Sequence, residues 1–235
     1  MTRAAVAALV LGASLLAGCA VPDDPAGTLE RVRGGTMRVG VSESVPWVRL
    51  RGPRPRGIEP ALLGGFARSL GARIEWVEGS ESELMAALHE HELDVVVAGL
   101  TRKGSPWDRE AAITRPYVRT SLVVGVPPGV IAPTDLEGVE VVVEDATQAA
   151  ALVERKTEAS VVRVPSLRAR RGRAAVVGEW QLGHLRLESS DVRLRVDEHV
   201  MAVGPGENAW QSELERFLLG RPTEVQRVLE AEGRP

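Results

Sequence analysis

Three short strand-like runs, each separated from the next by a helix-like segment, limit what this chain can become. Met37 to Val41, Arg73 to Val77 and Val95 to Ala98 read as strands, being short, apolar or alternating, and bounded by glycines or charged residues. Between the first two, Leu62, Leu63, Phe66, Ala67 and Leu70 share one helical face and Gly71 ends the segment. Between the second and third, Ser80 followed by Glu83 forms a capping box ahead of Leu84, Ala87 and Leu88. Strand, helix, strand, helix, strand predicts parallel pairing through helical crossovers, an α/β fold. Gly64 and Gly65 inside the first helix cost roughly 1 kcal/mol each against Ala, which predicts a neighbour packed closely there.

The third run ends on Gly99 and passes into a polar loop, Leu100 to Asp108. Ligands of open α/β sheets sit beyond the carboxyl ends of the strands, so this loop is the first place to expect a binding site. Thr114-Arg115-Pro116-Tyr117 then leads into the apolar run Ser121 to Val126, and Pro127-Pro128-Gly129 marks a boundary. Beyond it come a strand (Val139 to Val143), a helix (Thr147 to Lys156) and two further strands (Val161 to Val164, Ala174 to Val177). This second unit is too small to be more than marginally stable alone. Alternation at Val192, Leu194 and Val196 and the apolar run Val200 to Val203 carry the chain back to the first unit. Two terminal helices follow, one with Trp210, Leu214, Phe217 and Leu218 on a face, the other opened by Thr223 with Gln226 three residues on.

A formal net charge of −3 over 235 residues gives no reason to expect nucleic acid. The basic run Arg168 to Arg173 lacks interleaved aromatics and reads as a solvated surface. The single cysteine, Cys19, excludes an intrachain disulfide. It closes the segment Leu16-Ala17-Gly18-Cys19 after an apolar run, Ala4 to Ala17, too short for a comfortable membrane span. That segment resembles the lipobox of bacterial lipoproteins. The resemblance implies a signal peptide over residues 1–18, lipidation of Cys19, and a membrane-anchored protein in the periplasm or cell envelope. Residues 19–35 contain Pro, Asp and Gly without periodicity and read as a lipidated tether.

In order along the chain, MRVGVSESVPW, GIEPALLGGFARSLGARIEWV, LDVVVAGLT, ITRPY, DLEGVEVVVEDATQ, GRAAVVGE and HVMAVGPGENAWQSELERFL resemble the bacterial extracellular solute-binding proteins of family 3, the amino-acid-binding type. The resemblance implies a two-lobed periplasmic-binding-protein-like (type II) fold with a hinge of two crossing strands. Lobe 1 would comprise residues 36–126 and 197–235, and lobe 2 residues 127–196. It further implies a monomer that closes on a small solute and an ABC permease in the cytoplasmic membrane as partner. No cofactor, metal or catalytic residue is implied.

Candidate ligand-binding residues follow from the same alignment of motifs. Thr101 stands at the family's Thr/Ser position, but the Arg that pairs with a ligand carboxylate falls on Pro106 or Trp107, leaving Arg102 or Arg109 as substitutes. The GRxD-like segment is Gly172-Arg173-Ala174-Ala175, without its carboxylate. Trp47, Trp107 and Trp180 fall at or beside cleft positions, and with Glu43, Glu59 and Glu179 would form an acidic, aromatic cleft suited to a cationic or flat solute. Thr147 and Gln148 match a helix N-terminus able to offer backbone N–H groups, or Thr147 is a simple N-cap. His89 and His91, two apart on a helix, do not share a face and make no metal pair. Two alternatives remain open: a periplasmic enzyme of the cyclohexadienyl dehydratase kind, with Glu43 or Glu59 facing Glu179, and a sensor or interaction lipoprotein that takes no ligand.

Overall fold

The computed structural model describes residues 24–103, 106–107, 110–145 and 149–232. They form two five-stranded mixed sheets joined by a pair of crossing strands. In the first sheet β1 (Thr36–Val41) lies between β2 (Arg73–Glu78) and β3 (Val95–Val97), parallel to both, with Val39 opposite Val95 and Val41 opposite Val97. Helices α2 (Ile58–Ser69) and α3 (Glu81–His89) make the crossovers. The expected capping box is formed: Ser80 Oγ accepts the Glu83 N–H, and Glu83 Oε2 accepts the Ser80 N–H at 3.0 Å.

The unbroken apolar run at β3 has a simple cause. Val95 and Val97 enter one core with Phe66, Leu62 and Trp210, whereas Val96 and Ala98 enter the opposite core with Leu84, Leu88 and Val200. Both faces of the strand are covered, so no polar residue alternates with the apolar ones. Gly65 is explained too: a Cβ there would lie 3.2 Å from Cζ of Phe217 on the terminal helix.

After β4 (Ala112–Ile113) the chain crosses to the second sheet as β5 (Val118–Val126). That sheet continues with β6 (Glu140–Glu144), β7 (Ser160–Val164) and β8 (Ala175–Gly178), the helix α4 (Ala149–Lys156) lying between β6 and β7. The long β9 (Glu188–His199) runs antiparallel to β5, from Val126 opposite Glu188 to Val118 opposite His199, and returns the chain to β10 (Ala202–Val203) in the first sheet. The crossing is fastened by Thr114 and Tyr117, whose N–H groups donate to Met201 O and His199 O, while Thr114 Oγ1 accepts the Met201 N–H. These two strands form the hinge of a two-lobed α/β fold.

Two boundaries differ from those read in the sequence. Residues 118–126 and 197–199, expected in lobe 1, pair within the second sheet, because β5 and β9 remain hydrogen-bonded to each other through most of their length. The tether expected over residues 19–35 is folded at its far end. Thr28–Val32 is a short helix, α1; Val32 is buried in the first core, and Glu207 accepts the N–H groups of Ala26 and Thr28. Asp24 accepts the N–H groups of Leu29 and Trp210. A helix of five residues is not stable alone; these tertiary partners hold it. The terminal helices α5 (Asn208–Leu219) and α6 (Pro222–Glu232) complete lobe 1, burying Trp210, Leu214, Val225 and Leu229. No described helix is long and apolar enough to cross a membrane.

Candidate functional site

Where the lobes meet, three rings from distant parts of the chain converge. Trp47 comes from a tight loop after β1, closed by reciprocal backbone hydrogen bonds between Ser44 and Val48. Its ring stacks on His199 of the crossing strand, centroids 3.5 Å apart and planes 27° apart. Trp180, just beyond β8 in lobe 2, meets Trp47 edge to face at 6.2 Å. Two glycines make room for this cluster. A Cβ on Gly99, whose φ is +65°, would lie 2.5 Å from Ser44 Oγ and 2.8 Å from Trp47 Cδ1. One on Gly178 would lie 2.4 Å from the Trp180 ring.

Beneath the rings lies a buried polar pair. Glu59, on the first turn of α2, is fully enclosed; one carboxyl oxygen accepts the Gly99 N–H at 2.9 Å and the other the Tyr117 hydroxyl at 3.0 Å. Burial raises its pKa to about 7 in spite of both hydrogen bonds. Tyr117 is raised well above its ordinary value, by burial first and then by the Glu59 charge. His199 is pushed down to about 3, by burial and then by the Arg195 charge, against opposing backbone contacts from Gly99 and Leu100. The imidazole is therefore neutral at physiological pH. Its Nε2 pairs with Thr120 Oγ1 at 3.0 Å.

The residues proposed from the sequence divide accordingly. Trp47 and Thr101 stand together: Thr101 is half-buried and forms an isolated β-bridge with His199. Glu179 is adjacent, exposed and ion-paired with Arg193 at 3.5 Å. Glu43 is exposed on the loop after β1. Glu59 does not face the interlobe space; its helix turns it into the lobe 1 core, where Gly99 and Tyr117 take both oxygens. Trp107 is also absent from the cluster. It packs with the second core of lobe 1 and donates from Nε1 to Glu81 Oε2 at 3.3 Å, so the aromatic wall consists of Trp47, Trp180 and His199. Arg109, Thr147, Gln148 and Cys19 lie outside the described residues. His199 was not among the residues expected from the sequence to line a site. Its position at the end of an alternating strand, just before Val200 to Val203, was the signal that it lies on the crossing.

Beside the cluster, a hollow of about 170 Å³ is lined by Thr101, Lys103, Arg119, Val196, Asp197 and Glu198. A larger one, about 320 Å³, lies on lobe 1 between Arg102, Arg115 and Gln211. The lobe faces are tied at their rims as well. His184 Nε2 lies 2.9 Å from Glu230 O, joining lobe 2 to the last helix of lobe 1. Glu144, at the end of β6, has its pKa raised by burial, opposed in part by the Leu167 N–H and by the charge of Arg49.

Two α/β lobes, two crossing strands and an aromatic cluster at their junction define a type II periplasmic-binding-protein-like molecule. The match of residues 37–219 to the model of the bacterial extracellular solute-binding proteins, family 3, places the chain in that family: it belongs to it. Among solved structures, an ancestral cationic amino acid solute-binding protein, AncCDT-1, is similar with a TM-score of 0.67 at 16% identity, over 87% of this chain and 98% of that one. The L-cystine solute receptor of Neisseria gonorrhoeae, in an unliganded open conformation, gives 0.62 at 17% identity, over 84% and 92%. The second substrate-binding domain of a putative amino acid ABC transporter from Streptococcus pneumoniae gives 0.61 at 18%, over 83% and 98%. At such identities the likeness establishes the fold. No curated protein matches the chain significantly.

Proposed function

We propose that the protein is an extracytoplasmic receptor, anchored through a lipidated Cys19, that captures a small amino-acid-like or cationic solute between its lobes for an ABC permease. The observation that supports this best is the convergence of Trp47 from lobe 1, Trp180 from lobe 2 and Thr101 with His199 at the crossing. A hinge brings such surfaces together on a guest and separates them to release it. Indole faces favour cations and flat groups, and the exposed carboxylates of Glu43 and Glu179 lie on either side of the junction. AncCDT-1, which is also described as a precursor of cyclohexadienyl dehydratase, raises the enzymatic alternative. That reaction needs an acid and a base facing one another; Glu59 is enclosed within lobe 1, which leaves Glu43 with Glu179 as the pair.

A second reading, an interaction protein that takes no solute, is favoured by one feature: Trp47 is only 6% exposed. A thermal-shift screen of the protein against the proteinogenic amino acids and small polyamines separates these readings. A ligand at one hundred times its Kd stabilises by about 2.7 kcal/mol, which for a chain of this size raises Tm by about 5–10 °C. Recovery of the ligand unchanged supports the receptor and its conversion supports the enzyme. No shift across the panel supports the interaction protein.

A further inference from the structure

The aromatic wall that a solute would use is already covered by the chain itself. His199 lies against one face of Trp47, and Trp180 approaches from the other lobe and packs onto the lobe 1 core. No guest can stack on Trp47 until lobe 2 withdraws. Gly178 is what allows the Trp180 ring to fold back over the end of β8. One contact holds the same closure from its rim, His184 on the Glu230 carbonyl.

From this geometry we propose that Trp180 is an internal occupant of the solute place: an autoinhibitory plug that holds the lobes together and must be displaced for a solute to bind. The proposal rests on the receptor reading above and adds the regulation of that site. The seat is imperfect. Trp180 Nε1 is buried with no hydrogen-bond partner among the described residues. A buried donor without an acceptor disfavours the packed state relative to one that supplies it. The closed arrangement is therefore poised to open toward a guest, or toward water, that accepts from that indole nitrogen. Solutes lacking a hydrogen-bonding group would gain nothing from displacing the ring, so the plug also filters by chemistry.

The test is Trp180→Ala in the full chain. Hydrogen–deuterium exchange should rise at least ten-fold at the two facing segments, 42–50 and 178–186, while the β1 and β3 amides keep wild-type protection. Unchanged exchange in both segments overturns the plug. Should this variant not fold, His184→Ala releases the same junction from its rim and is read in the same way. Amino acids from the screening panel that bind wild type should bind His184→Ala, which loosens the rim and leaves the aromatic wall intact, at least ten-fold more tightly, since the binding-competent fraction rises; equal affinity also overturns it. Exchange needs no solute. A panel without binders therefore counts against the receptor reading alone, and unchanged exchange counts against the plug alone.

Discussion

Replacing Glu59 by Gln tests the polar pair under the aromatic cluster. The carboxyl titrates near 7 in the folded protein and near 4.5 when unperturbed. Because the folded value is the higher one, the folded state holds its proton while the unfolded state has already lost it. The stability this group contributes is complete below about pH 4.5 and declines as pH rises to 7 and beyond. A difference of about 2.5 units corresponds to on the order of 3 kcal/mol, of which about 2–3 kcal/mol falls between pH 5 and 8. Gln keeps the shape. Its carbonyl still accepts the Gly99 N–H, and its amide donates to the Tyr117 hydroxyl, which reverses role. Urea unfolding of wild type and Glu59→Gln at closely spaced pH values cancels every other titrating group to first order. The variant should gain about 2–3 kcal/mol on wild type from pH 5 to 8. A difference that does not change with pH would refute the buried, protonatable carboxyl.

His199 carries the opposite sign. Its pKa falls from 6.5 to about 3 on folding, so stability is lost as pH drops through that interval, and His199→Gln should flatten the acid limb of the same urea titration. Gly99→Ala forces a Cβ to 2.5 Å from Ser44 Oγ at a φ of +65°; destabilisation of about 1–3 kcal/mol, measured by denaturant midpoint, should accompany an altered Trp fluorescence spectrum. Asp94, buried between Arg31 and Arg38, should destabilise by about 3–5 kcal/mol when replaced by Ala. The same change should make α1 protease-sensitive, and an unaltered cleavage pattern would separate α1 from that ion pair.

Much of the architecture was legible because it is local. The capping box at Ser80, the helical spacing of Leu62, Leu63 and Phe66, and the Val runs of β3 and β6 report on neighbours a few residues away. Their order along the chain carries the parallel crossovers. The family, too, was readable from ordered segments, since a series of such pieces restricts topology more than any single motif. By contrast, an apolar strand such as Val118–Val126 does not record which sheet it joins; that follows from β9, about seventy residues on.

The candidate site was read less completely, for a physical reason. A Glu on the first turn of a helix is ordinarily solvated and favoured there by the helix dipole. What encloses Glu59 is Gly99, 40 residues away, and Tyr117, 58 away. Trp107 looked like a cleft residue by position, yet Glu81 and the α3 core hold it elsewhere. Sequence alone determined that these residues would build two α/β units with a loop at a strand end. Only the tertiary fold decided that Trp47 meets Trp180 and His199, because burial and ring contacts are made between elements whose separation along the chain carries no periodic signal.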